Sequence, residues 1–138
     1  MRFLRLPILV IGLIACGMPA QAVMGQGPAI AIVVSERSAI RSLSQEDIAA
    51  AFLGMSVQNL APIDSDDVSL REAFYQQLLG RSRNQMRAYW SRMVFTGQGR
   101  PPPVLNSDEL GRVSNVNWLS YVRSDQKPAK TRVLLVLP

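Results

Sequence analysis

The chain alternates between short apolar runs and longer amphipathic segments. The run AIAIVV at 29–34 is continuous and rich in β-branched residues, so it predicts a strand buried on both faces. RVLLVL at 132–137 predicts a second strand of the same kind, and WLSYVR at 118–123 predicts a third. The segment 57–63 is a weaker candidate, because Pro62 restricts it to an edge or an end of a sheet.

The segments between these runs carry helix signals. Three have polar residues at capping-box spacing, followed by an apolar stripe at helical spacing. A short fourth helix is predicted to begin at Asn106 or Ser107. The order of elements predicts an α/β fold with a mixed sheet flanked by helices. The capping pairs are Ser44 with Asp47, Ser69 with Glu72, and Ser82 with Gln85, and the glycines that end the first two helices are Gly54 and Gly80.

The third helix ends in an unusual turn, in the stretch YWSRMVFTGQGRPPP at 89–103. Trp90 continues a core-facing stripe, and Gly97 is placed to end the helix in a left-handed conformation. The prolines at 101–103 favour polyproline II, which cannot re-enter the helix. The turn is therefore predicted to stop the helix, and to form either a rigid rim of a cleft or an exposed edge that a partner recognises.

The first 22 residues have the pattern of a secretory signal peptide. Arg2 and Arg5 precede an apolar run at 6–16 that is too short to span a bilayer, and Ala-Gln-Ala at 20–22 is a cleavage site. Cys16 leaves an alternative open, because the preceding Leu-Ile-Ala resembles the signal for lipid attachment at that cysteine. We predict a signal peptide at 1–22 and a periplasmic domain at 23–138, with a lipoprotein anchored at Cys16 as the alternative.

The position of cleavage is directly testable. We expect the exported protein to begin at Val23, because the Ala-Gln-Ala site immediately precedes it. The mass of the intact protein from the periplasmic fraction, with its N-terminal sequence, measures this. A diacylglycerol-modified chain that begins at Cys16 would instead identify the lipoprotein signal.

Charge and composition narrow the function. Removing the first 22 of the 138 residues, with their two arginines, lowers the formal charge from +5 to +3. An exported and mildly basic chain points to anionic solutes or surfaces rather than to nucleic acid. The sequence has no histidine and a single cysteine, and its serines lack a nucleophile-elbow context. We therefore predict no enzymatic activity, no catalytic residues, no metal site, no cofactor and no membrane span in the exported chain.

Three segments carry a resemblance to a known family: LSQEDIAAAFLG at 43–54, SLREAFYQQLLGRSRNQMRAYWSRMVFTGQGRPPP at 69–103, and WLSYV at 118–122. They are similar to the small phosphate-ABC-transporter substrate-binding-like proteins of bacteria, and FTGQGRPP is the most specific part. The resemblance covers about 29–137. It implies a type 2 periplasmic-binding fold, no enzymatic activity, and phosphate or a related anion as ligand. A domain of this length supplies a single lobe of that fold.

Two groups of residues are candidates for the ligand site. Ser69 and Arg71 lie in the first turn of a predicted helix, where free backbone N–H groups, a hydroxyl and a guanidinium can meet an anion. Ser35 and Ser38 follow the first buried strand, at the end where α/β folds place ligands. The family's Ser-Gly-Thr anion motif is replaced here by Ser-Leu-Arg at 69–71, with aspartates before it. Ser69 and Glu72 could equally serve only to cap the helix.

Two functions therefore remain open. The first is a solute-binding protein for phosphate or a similar oxyanion, working with an ABC transporter. The second is a non-catalytic interaction module that kept the scaffold, lost the ligand and docks to an envelope partner.

Overall fold

A computed structural model describes residues 27–138 of the chain. The predicted signal peptide and Cys16 lie outside the described residues. The elements are six strands and four helices within that range: β1 Ile30–Ser35, α1 Gln45–Phe52, β2 Ala61–Pro62, β3 Asp64–Ser65, α2 Val68–Leu79, α3 Arg83–Phe95, β4 Val104–Leu105, α4 Ser107–Leu110, β5 Trp118–Arg123 and β6 Thr131–Leu137. The predicted α/β class is confirmed.

The main sheet has four strands in the order β2-β5-β1-β6. β1 is antiparallel to both of its neighbours, and β2 is parallel to β5, so the sheet is mixed as predicted. β3 and β4 form a separate parallel pair. β2 is short and lies at the edge, which agrees with the restriction that Pro62 places on this segment.

Helices cover the sheet because β1 is apolar on both faces. Ile30, Ile32 and Val34 pack into a core with residues of α1, α2 and α3. The alternate residues Ala31 and Val33 pack on the other face, in a smaller core that includes Leu110 of α4. All six residues of β1 are buried, which confirms the prediction for 30–34, whereas Ala29 of the predicted run precedes the strand and is exposed.

β6 departs from the prediction. Its apolar run forms a strand, but the strand lies at the edge of the sheet and is mostly half-buried, with Val136 exposed. A bulge interrupts its register with β1 between Ile32 and Val33. The expectation of burial on both faces was therefore wrong, because an apolar run specifies a strand and not its place in the sheet.

The turn after α3 is built as its residues predict. Gly97 has φ of 69°, and the Gln98 N–H donates to the Met93 carbonyl at 2.9 Å while the Gly97 N–H donates to the Val94 carbonyl. These two bonds form a Schellman motif, in which a left-handed residue satisfies the last carbonyls of the helix. The predicted helix stop at Gly97 is confirmed.

The apolar stripes of α2 and α3 also face the core. Phe74 is fully buried and Trp90 is 8% exposed, as their stripes predict. Gly54 lies against the Trp90 ring, and a Cβ there would approach the indole to 3.1 Å. Gly54 therefore both ends α1 with a positive φ and leaves room for the tryptophan.

Candidate functional site

A cleft of about 240 Å³ opens between α2, α3 and the proline segment. Three of its lining residues are arginines, Arg71 from α2 and Arg83 and Arg87 from α3. The two on α3 are four residues apart, so they share one face of that helix. Trp90, Pro101 and Pro102 form the stiff part of the wall. Two of the prolines after the α3 turn thus line this cleft, whereas the choice between the two roles predicted for the turn stays open.

The arginines outnumber the acidic groups of the cleft. Its acidic lining residues are Glu72 and Asp64, and Asp64 is buried. The cleft therefore carries an excess of positive charge, which becomes larger whenever Asp64 is protonated.

Asp64 belongs to a buried hydrogen-bond cluster at the wall of the cleft. Its carboxylate accepts hydrogen bonds from the Tyr75 hydroxyl at 2.8 Å, from the Tyr121 hydroxyl, and from the Ser65 N–H at 3.3 Å. Burial raises the pKa of Asp64, while the two tyrosines and the charge of Arg71 oppose that rise. Burial and the Asp64 charge also raise the pKa of both tyrosines, so they remain donors at neutral pH.

Asp67 caps α2, in the role that the sequence pattern assigned to Ser69. Its carboxylate accepts from the Leu70 N–H at 3.1 Å and from Arg123 at 2.8 Å. The Leu70 hydrogen bond and then Arg123 hold the pKa of Asp67 below its ordinary value. The predicted box of Ser69 and Glu72 is wrong because α2 begins at Val68. The positive end of the helix already holds a carboxylate of its own, with which an anion there would have to compete.

Ser69 and Arg71 therefore have different surroundings. Ser69 is exposed in the first turn of α2, whereas Arg71 is half-buried and donates from Nη1 to the Ser65 carbonyl at 3.2 Å. Residues two apart on a helix do not face each other, so one side of α2 cannot present both. Of this predicted pair, Arg71 is the residue that lines the arginine cleft.

Ser35 and Ser38 lie at the other end of the sheet. Ile30 pairs with Arg123, which contacts Asp67 at the start of α2, whereas Ser35 follows Val34, which pairs with Leu119. The six residues of β1 separate the two places by roughly 17 Å at the usual rise per residue. The four predicted residues therefore do not form one site.

The two serines stabilise the turn after β1. The Ser35 hydroxyl accepts from the Arg37 N–H at 3.3 Å, and the Ser38 hydroxyl accepts from the Ile40 N–H at 3.2 Å. Arg132 holds the same turn from β6 by donating to the Ser38 carbonyl at 3.0 Å. Ser35 also lines a second hollow of about 420 Å³.

Sequence reasoning assigned no partner to Asp64, and it did not select Arg83 and Arg87 as candidate ligand residues. Their four-residue spacing was the available signal for a shared face. The contact between Asp64 and Tyr121 joins residues 57 apart in sequence, which spacing rules do not reach.

Within residues 27–138, no helix has the length and apolar character needed to cross a bilayer. No group of three or more His, Cys, Asp or Glu side chains in the same range is placed to hold a metal ion.

The chain matches no protein-family model, no curated protein and no solved structure. The resemblance to phosphate-transporter substrate-binding proteins therefore stays a prediction.

Because their pKa values are shifted in opposite directions, Asp64 and Asp67 should make the free energy of unfolding depend on pH in opposite ways. The folded-state pKa of Asp64 is raised above its ordinary value of 3.8, so its contribution to stability is full below that value and is lost as pH rises through the folded pKa. The folded-state pKa of Asp67 is lowered, so its contribution is present above 3.8 and is lost as pH falls through the folded pKa.

Urea unfolding of the wild type, Asp64→Asn and Asp67→Asn between about pH 3 and pH 7 measures both effects. The advantage of the wild type over Asp64→Asn should grow as the pH falls toward 3.8. Its advantage over Asp67→Asn should shrink below 3.8. Asparagine is a suitable comparison at 67 because it also caps helices. If the stability difference between the wild type and a variant does not vary with pH, the pKa shift assigned to that carboxyl group is contradicted.

Proposed function

We propose that the protein is an exported, non-catalytic solute-binding protein, a single lobe of the type 2 periplasmic-binding fold, and that it binds phosphate or a similar oxyanion. The observation that carries the proposal is the convergence of Arg71, Arg83 and Arg87 on one cleft. Guanidinium groups form paired, charge-assisted hydrogen bonds with phosphate oxygens, and three of them on one cleft favour an anionic ligand.

The surroundings of Arg71 support this role. The Ser65 carbonyl accepts one of its hydrogen bonds and holds the side chain in place. A guanidinium has five N–H donors, so others remain for a ligand. The rigid wall of Trp90, Pro101 and Pro102 limits the motion that ligand binding would otherwise have to freeze.

A single lobe leaves one side of a bound anion in water. The attraction is therefore screened by salt, and we expect a dissociation constant on the order of micromolar or weaker. The proposed partner in uptake is an ABC transporter of the envelope, which would close the open side of the site or receive the ligand from it.

Calorimetric titration with phosphate and with sulfate tests the proposal. We expect saturable binding of at least one of these oxyanions, and a thermal shift that increases with its concentration. Absence of heat and of thermal shift with either anion at concentrations on the order of millimolar would contradict an oxyanion-binding function.

One observation favours the alternative, a non-catalytic module that docks to an envelope partner. Phe95 is 93% exposed and Val94 is 53% exposed, side by side at the end of α3. Exposed apolar neighbours of this kind often mark a contact surface. The same titration separates the two functions, because a module that lost its ligand would give no response to either anion.

A further inference from the structure

The arginine cleft continues into a second hollow with a different character. Trp90, Val94, Phe95 and Pro101 line this hollow, which we call the apolar shelf and which has a volume of about 590 Å³. Arg87, Trp90 and Pro101 line both the cleft and the shelf, so the two are adjacent parts of one surface.

Two apolar residues of the shelf, Val94 and Phe95, are not explained by packing in the core. The buried side of α3 presents Met86 and Trp90, and Phe95 lies five residues after Trp90, off that stripe. Phe95 is 93% exposed and Val94 beside it is about half exposed, so the protein alone does not obtain the gain in hydrophobic free energy that burying both side chains would give. A ligand that covers the shelf would recover that gain.

The positive charges at the shelf and the cleft indicate which kind of molecule could cover the shelf. Arg87 lines both the shelf and the cleft, and Arg71 and Arg83 line the adjoining cleft. A second copy of this chain docked shelf to shelf would place these like charges opposite one another, because a two-fold interface brings identical patches together. A ligand with a negative end suits the arginines of the cleft.

We propose that the ligand of the cleft is an organic oxyanion, a phosphate or similar group joined to an aromatic or other apolar body. The oxyanion lies among Arg71, Arg83 and Arg87, and the apolar body lies on the shelf against Phe95 and Trp90. This inference rests on the proposed function of the cleft and adds the chemical class of the ligand.

Titration with inorganic phosphate and with phenyl phosphate tests the inference. Phenyl phosphate carries the same group with one ring attached. We expect it to bind roughly tenfold more tightly than phosphate, because an open shelf supplies about half the gain of a fully buried ring. Phe95→Ala should remove most of this advantage and leave phosphate affinity unchanged, since Phe95 lines the shelf and Arg71 lines the cleft.

Met55→Ala is the matched control. Met55 is also an exposed apolar side chain, 62% accessible, and it lines neither hollow. It should alter neither titration. Phosphate binding with no advantage for phenyl phosphate, or an advantage that survives Phe95→Ala, would overturn the inference and leave the proposed function standing. Failure of both compounds to bind would overturn the proposed function and the inference together.

Discussion

Phe74→Ala is expected to lower the free energy of unfolding by about 3–5 kcal/mol. The Phe74 ring is fully buried and stacks on Tyr121 with centroids 3.7 Å apart. It also meets Phe52 edge-on at 4.8 Å and Tyr75 at 5.2 Å. Removing it leaves a cavity among three rings that the surrounding helices and sheet cannot readily close.

The chain offers a matched control for this substitution. Phe95→Ala makes the same chemical change at a ring that is 93% exposed, and it should shift stability by no more than about 0.5 kcal/mol. Urea unfolding of both variants, analysed with a common slope, measures the difference. Equal losses of stability in the two variants would contradict the placement of Phe74 at the centre of the core.

Local signals predicted much of the fold because they act between near neighbours in sequence. Ser82 and Gln85 form the capping box that their spacing predicts, and so do Ser44 and Asp47. Gly97 takes the left-handed conformation that a helix stop requires. Each of these features depends on residues within five positions of one another, which is the range that pattern rules describe.

The wrong predictions arose where two local choices compete or where distant segments decide. Asp67 and Ser69 are both suitable caps for α2, and the ion pair of Asp67 with Arg123 of β5 accompanies the cap that forms. β6 has the composition of a central strand, but the order of the sheet places it at an edge. Neither outcome can be predicted from the residues that are nearest in sequence.

The candidate site was predictable only in part for the same reason. Arg71 was identified from its place in the first turn of α2. The cleft, however, assembles residues from α2, α3 and the proline segment, which are brought together by packing. Ser69 and Arg71 were grouped because they are close in sequence, although positions two apart on a helix face different directions.

Arg71→Ala is expected to weaken phosphate binding tenfold or more. A hydrogen bond to a charged group contributes about 1.5–3 kcal/mol, and its loss corresponds to at least a tenfold change in affinity. Arg71→Lys should retain part of the affinity, because it keeps the charge and loses the paired donors. Arg87→Ala removes an arginine that α3 contributes to the same cleft, so it should also weaken phosphate binding.

Arg92→Ala is the control for the loss of charge. Arg92 is exposed on the same helix as Arg87 and lines neither the cleft nor the apolar shelf. It should leave phosphate affinity nearly unchanged at moderate salt. Arg71 also donates a hydrogen bond to the Ser65 carbonyl, so its loss could affect the fold. The melting temperatures of all four variants check that each is folded.

The central claim is that the arginine cleft binds an oxyanion, and the most direct test is a phosphate titration of the wild type and Arg71→Ala at low and at moderate salt. We predict saturable binding by the wild type that weakens with salt, because the site is open to solvent. We predict binding at least tenfold weaker by Arg71→Ala under both conditions. Equal affinities of the two proteins would move the site away from this cleft, and absence of binding by the wild type would contradict the claim itself.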